Sequence, residues 1–224
     1  MLETVFLDAG GVLVFPNWTR ISDRLAAHGV VVDAAALARA EAPAKRQLDA
    51  GPTIDATTDA SRGWLYFNLI LQQAGVGVGP ATDAALAELR AYHNESNLWE
   101  LMPPDVVPAL ARLRARGLRL TVVSNANGKL RVLFERLALT GCVDVMLDSH
   151  EEGVEKPDPR FFHLALGRSG ADASSTMHVG DLYHVDVAGA RAAGLTPALL
   201  DVGDLYPDCD CLRVRSLTEL VDAL

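Results

Sequence analysis

Lysine is nearly missing from this chain: 224 residues contain three, Lys45, Lys129 and Lys156. Chemistry that needs an amine therefore has few places to reside. A basic excess is missing too. Twenty Lys and Arg against 29 Asp and Glu leave a formal net charge of −9, which argues against nucleic acid or an anionic membrane surface as a partner. No apolar run approaches the roughly 18 residues of a membrane span. The start, Met1-Leu2-Glu3-Thr4, has no cationic region ahead of an apolar stretch, so no signal peptide and a cytoplasmic location are expected. Cysteine is scarce and odd in number: Cys142, Cys209 and Cys211. Cys209-Asp210-Cys211 lacks the two-residue spacing of metal or redox pairs, so free thiols are expected. Internal repeats and low-complexity segments are absent.

What is present is a core-forming composition, 50% hydrophobic and 22% charged, which excludes disorder. Val5-Phe6-Leu7 reads as a buried strand emptying into Asp8-Ala9-Gly10-Gly11. From Asn17 to Asn97 the pattern is helical throughout, with Trp18, Ile21 and Leu25 on one face. Asp33 and Asp59 are expected N-caps, and a helix is expected over Asp83 to His93. After Pro103-Pro104 helices and strands alternate. Strands are expected at Leu120–Val123, Val145–Leu147, Met177–Val179 and Ala198–Leu200, with Ser216 to Glu219 as a capping box for the last helix. The alternation predicts an α/β fold, a Rossmann-like parallel sheet covered by helices on both faces, with an inserted α-helical domain. The division is 1–15 and 103–224 for the core, and 16–102 for the insert.

In such sheets ligands bind beyond the carboxyl ends of the strands, where Asp8, Ser124 and Asp181 are expected. Taken alone, each reads as a turn or helix cap. Together they carry more. Gly10-Gly11 lets the backbone approach an anion closely, and a carboxylate in that loop can act as a covalent nucleophile. Ser124-Asn125 offers a hydroxyl and N–H groups as an anion cradle at a helix N-terminus. Lys156, between Glu155 and Pro157-Asp158-Pro159, would ordinarily be a solvated surface lysine, but in a chain so poor in lysine a compact cation in a stiff loop would suit a phosphate. Asp181 and Asp186 beside Asp8 are the oxygen donors that Mg²⁺ asks for.

In order and spacing these four motifs resemble the haloacid dehalogenase-like hydrolase superfamily across essentially the whole chain. The resemblance implies Asp8 as nucleophile of an aspartyl-phosphate intermediate, with Lys156 as catalytic cation. Ser124, Asn125, Gly11 and Lys156 would bind substrate. Mg²⁺ would lie on Asp8, Asp181 and the carbonyl of Gly10, with Asp186 holding metal-bound water. The insert matches the family's C1-type cap. The expected activity is that of a Mg²⁺-dependent phosphatase acting on a small phosphorylated metabolite, as a monomer or homodimer.

One departure stands out. Family phosphatases usually carry a second Asp, a general acid and base, where this chain has Gly10. Two alternatives follow. A metal-free 2-haloacid dehalogenase also lacks that Asp, with Arg20 or Arg39 to receive halide, but has no need of the Asp181/Asp186 pair. A non-catalytic binding protein of the same fold has only Gly10 in its favour. His184 is one candidate for the missing acid, against a plain solvent-facing reading. In the insert, Asn17, Trp18, Arg20, Trp64, Tyr66, Asn94, Asn97 and Trp99 are candidate specificity residues, their structural reading placed first. Lys45, the insert's lone lysine, reads as a surface residue.

Overall fold

Every residue of β1 (Thr4–Leu7) is buried, as expected of a strand covered on both faces. It lies inside a six-stranded sheet of order β5-β4-β1-β6-β7-β8. The other members are β4 (Arg119–Ser124), β5 (Val145–Asp148), β6 (Thr176–Gly180), β7 (Thr196–Leu200) and β8 (Leu212–Val214). All five pairings are parallel. The computed structural model describes residues 1–224 and divides into two units, Met1–Phe15 with Met102–Leu224, and Pro16–Leu101.

The sheet unit carries α6 (Val106–Ala115), α7 (Leu130–Arg136), α8 (Ser149–Glu152), α9 (Pro159–Ser169), α10 (Ala188–Ala192) and α11 (Leu217–Ala223). Phe161, Phe162 and Ala165 of α9 and Ala190 of α10 pack with Phe6, Val123 and Leu147 of the sheet. Helices α6 and α11 pack on one another, and α6 on β4.

The second unit holds α1 (Trp18–Ala27), α2 (Ala34–Leu48), α3 (Gly51–Ala56), α4 (Asp59–Gln73) and α5 (Pro80–Ser96). Strands β2 (Phe15–Pro16) and β3 (Trp99–Leu101) form a two-stranded sheet. Its core gathers Ile21, Leu25, Leu37, Phe67, Ile70 and Leu89, with Trp18, Trp64 and Trp99 packed against it. No helix of the chain is long and apolar enough to cross a membrane.

Several local expectations need correction. Thr58, not Asp59, caps α4, its Oγ1 accepting from Ser61 N while Ser61 Oγ accepts from Thr58 N. Asp33 stands at the N-cap of α2 without a side-chain bond; only its carbonyl accepts, from Ala36 and Leu37. Ser216 Oγ does accept from Glu219 N, but the Glu219 carboxylate reaches the N–H of Arg215 rather than of Ser216. The insert is not purely helical as expected, since β2 and β3 pair at its ends; with them, the strand β8 and the short helices α3 and α8 were not expected, being too short to establish a period.

Phe161 is fully buried where α9 meets the sheet. Phe161→Ala should lower the unfolding free energy by about 3–5 kcal/mol, read by urea denaturation. A loss below about 1 kcal/mol would mean that α9 is not a principal part of this core.

Candidate active site

Strand β1 is the point where the sheet's order turns. From it the chain crosses to β4 and β5 on one side, then to β6, β7 and β8 on the other. Ligand crevices form at such points. Leu7 is in register with Val122 of β4 and Val179 of β6, so the next residue, Asp8, emerges between the ends of both strands. Its N–H donates to Val179 O at 2.9 Å. Ser124 is the last residue of β4, and Asp181 follows the last residue of β6. Residues more than a hundred positions apart are thereby brought to one edge.

Lys156 lies at the centre, fully buried. Its Nζ stands 3.0 Å from Asp8 Oδ2 and 2.7 Å from Asp186 Oδ1. Asp8 Oδ1 accepts from Ser124 Oγ and from the Ala9 N–H, both at 2.7 Å. The backbone of Lys156 is held in turn by Asn125, whose Nδ2 donates to Lys156 O (2.9 Å) and whose Oδ1 accepts from Lys156 N (2.8 Å). The Lys156-Pro157 peptide is cis. Ser124-Asn125 does not form a cradle at a helix N-terminus, because the loop 125–129 intervenes before α7 begins at Leu130.

Asp186 sits in a π-helical turn, Tyr183–Val187, and both of its oxygens are saturated. Oδ1 takes Lys156 Nζ and His178 Nε2, while Oδ2 accepts from the N–H groups of Asp181 (3.2 Å) and Leu182 (3.1 Å). Asp8, Asp181 and Asp186 each place a carboxylate oxygen within 4.8 Å of the others. Two glycines make the room. A Cβ on Gly11, whose φ is +74°, would overlap the Asp181 carboxylate, and one on Gly180 would overlap that of Asp186.

The electrostatics follow. Burial pushes the Asp8 carboxyl up from 3.8 to about 7, Lys156 opposing and the Asp186 and Asp181 charges adding to it. Burial would lower the Lys156 ammonium, but Asp186 and Asp8 outweigh it and hold it above its ordinary value. For Asp186 burial is likewise overcome, by Lys156 and His178, and the carboxyl is held well below the usual range. Three carboxylates facing one ammonium leave a negative excess that a divalent cation would neutralise. The donor chemistry, hard oxygens with Asp186 already saturated behind them, fits Mg²⁺.

The sequence motifs thus converge, with Asp8, Gly11, Ser124, Lys156, Asp181 and Asp186 at one edge and Asn125 clasping Lys156. His178 and Gly180 were not anticipated. A histidine inside the apolar run of β6 was the available signal. His184 is half-buried, its ring edge-on to Tyr183 at 5.5 Å. Of the specificity candidates, Tyr66 and Trp99 stack at 5.9 Å and Trp64 contacts Phe67 at 5.6 Å, which is core packing. Asn17, Arg20 and Tyr92 all bond Glu100. Asn97 accepts from the Trp99 N–H. Asn94 and Arg39 are exposed, and Lys45 pairs with Glu41 at 3.1 Å.

The raised Asp8 value links the site to stability. Between about pH 4 and 7 the folded chain keeps a proton on Asp8 that the unfolded chain, at 3.8, has lost. That contribution favours folding fully below pH 3.8 and fades as pH rises through 7. In EDTA, the Tm of Asp8→Asn relative to wild type should therefore rise from pH 4 to 7, whatever its starting offset, and level off above. A difference independent of pH would contradict the raised value.

The family model of the haloacid dehalogenase-like hydrolases matches residues 2–194. A relative from Bos taurus, haloacid dehalogenase-like hydrolase domain-containing protein 3, is 32% identical over 80% of this chain and 73% of its own. The glyceraldehyde 3-phosphate phosphatase of Methanopyrus kandleri is 31% identical over 71% and 72%. Among solved structures, a 2-haloacid dehalogenase from Pseudomonas syringae pv. Tomato superposes with a TM-score of 0.60 at 26% identity, over 100% and 99% of the two chains. With these likenesses and a parallel sheet whose central strand ends deliver Asp8, Ser124 and Asp181, the chain belongs to the haloacid dehalogenase-like hydrolase family.

Proposed function

We propose that this hydrolase is a Mg²⁺-dependent phosphatase of small phosphorylated metabolites, working through an aspartyl-phosphate on Asp8. The observation that carries the reading is the triangle of Asp8, Asp181 and Asp186 closed on one buried ammonium, Lys156. A dehalogenase releasing halide from a neutral carbon has no use for the acid pair. A phosphoryl dianion does, because a metal held by Asp8, Asp181 and the Gly10 carbonyl would offset the repulsion between phosphate and carboxylates. The phosphatase named among the relatives agrees in substrate class. The unit of Met1–Phe15 and Met102–Leu224 acts as the catalytic core and Pro16–Leu101 as the cap, one residue from the expected division at 102/103.

Asp8 attacks phosphorus, the bond to the leaving oxygen breaks, and the phosphoryl group is carried as an acyl phosphate on Asp8. When bound, Mg²⁺ supplies Lewis-acid stabilisation of charge on the phosphoryl oxygens. Lys156, already 3.0 Å from Asp8 Oδ2, is placed to stabilise the same charge. Ser124 Oγ and the Ala9 N–H hold Asp8 in one orientation. Water then hydrolyses the acyl phosphate and frees Asp8. Asp186, whose oxygens are taken by four protein donors, would stand behind the metal rather than coordinate it, holding Lys156 and the backbone of Asp181 in place. Asn125 contributes through Lys156, since its amide is engaged with that residue's backbone.

Purified protein should hydrolyse phosphate esters with Mg²⁺ and lose that activity in EDTA. Asp8→Asn and Asp181→Ala should abolish turnover, and Asp186→Ala should cost roughly 10–100-fold. Chloride release from 2-chloropropionate in EDTA, with no Mg²⁺ binding by calorimetry, would instead establish the dehalogenase.

Gly10 generates a second test. A positioned general acid contributes roughly 10²–10⁴-fold, and Gly10 provides none, so alkyl phosphates must leave as unprotonated alkoxides. Acyl and aryl phosphates are therefore the preferred substrates. The left-handed φ in this loop falls on Gly11, so strain of that kind does not bar a side chain at position 10. Gly10→Asp should raise alkyl-phosphate turnover more than aryl-phosphate turnover. Ordinary rates on sugar phosphates in the wild type, undiminished by His184→Ala, would refute this account of Gly10.

A further inference from the structure

The chemistry assigned to Asp8 and Lys156 leaves unexplained a histidine beside them. His178 is the third residue of β6 and has no solvent exposure. Its Nε2 stands 2.9 Å from Asp186 Oδ1, while its Nδ1 meets no hydrogen-bond partner. Phe162 lies against the ring edge-on, centroids 4.9 Å apart. A wholly buried strand position is ordinarily filled by an aliphatic or aromatic residue. An imidazole here forgoes one hydrogen bond, so packing alone does not account for it.

The hydrogen-bond pattern at Asp186 does. A carboxylate offers about four lone-pair directions, and all four are occupied. Two go to the N–H groups of Asp181 and Leu182, one to Lys156 and one to His178. The backbone donors hold Oδ2. On Oδ1, His178 is the only restraint other than Lys156 itself. With the imidazole in place, Oδ1 draws one N–H of Lys156 along a fixed direction, and a second reaches Asp8 Oδ2 at 3.0 Å. Without it, Oδ1 is free to turn fully onto the ammonium and draw it away from Asp8. The tautomer follows from the same geometry. A bare Nε2 would set its lone pair against a carboxylate oxygen, so Nε2 carries the hydrogen and Nδ1 is the bare nitrogen. Burial also disfavours the imidazolium, as does the Lys156 charge.

We propose that His178 is a positioning residue which, as a neutral Nε2–H donor, fixes the Asp186 carboxylate so that Lys156 stands against Asp8. The inference rests on the roles proposed for Asp8 and Lys156 and adds to them a residue that does not touch substrate.

Three variants and one measurement on the unmodified protein test it. His178→Gln places an N–H near the Nε2 position. His178→Asn is too short to reach Asp186, and His178→Leu has no donor. With a phosphate ester and Mg²⁺, the Asn and Leu variants should lose roughly 10–100-fold in kcat with little change in KM. His178→Gln should recover most of that loss. In the metal-free wild type, ¹⁵N-resolved NMR should find His178 in the Nε2–H tautomer, a readout that stands even if a variant does not fold. An Nδ1–H tautomer, an undiminished kcat in the Leu variant, or equal losses in all three would overturn the proposal. Asp8→Asn separates the two readings: if it is inactive while the His178 variants behave as wild type, only this inference fails.

Discussion

A single ammonium group, removed from water, sets the arrangement of everything around it. Lys156 has no exposed surface, and a charge so placed is tolerated only when paired and hydrogen-bonded. Asp8 and Asp186 supply the pairing, and each is constrained by the other through the shared cation. Removing one partner of a buried ion pair typically costs about 3–5 kcal/mol. Reactivity and stability are thus coupled at one atom, Lys156 Nζ. Asp186 and Asp8 keep Lys156 charged against its burial, while burial pushes Asp8 toward protonation, so the metal-free site is electrostatically unsettled in a way that a divalent cation would relieve.

The scaffold meets this demand by topology. Parallel pairing on both sides of β1 aligns three strand ends, and the switch in strand order opens the crevice at Asp8. Lys156 is delivered from a loop rather than a strand, and the clasp by Asn125 fixes that loop to the residue after β4. Each reactive side chain is therefore held by backbone whose place the sheet already determines, as pre-organised electrostatics requires.

Much of this could be read from the amino-acid order. Strands buried on both faces appear as short apolar runs, and the polar residue that ends each run marks the sheet edge, so Asp8, Ser124 and Asp181 were visible. The cap at Thr58, the strand β8 and the partner of Glu219 were not, because propensity locates element ends only to within a residue or two. Other features escaped for a different reason. That Gly180 must lack a side chain is decided by Asp186 folding back over it, and that His178 has a polar partner is decided by a carboxylate eight positions away. Such facts belong to the chain's return path, which no local window contains. Asn125 was visible as a polar residue in the right loop, yet only the folded backbone assigns its amide to Lys156.

The π-helical turn over Tyr183–Val187 has a consequence for how this segment tolerates length change. The N–H of Ala188 bonds to Tyr183 O, five positions back, so the turn carries one residue more than an α-helix would hold. Deleting a residue between Leu182 and Val185 would allow ordinary helical winding, and helix propensity alone would favour it. Each residue of an α-helix, however, rotates the chain by about 100°. The deletion would swing the Asp186 carboxylate off the Lys156 ammonium and away from the N–H groups of Asp181 and Leu182. The surplus residue acts as a phase shifter: it keeps α10 in register with the sheet while aiming one carboxylate backward, and a smoother helix would be a blind one.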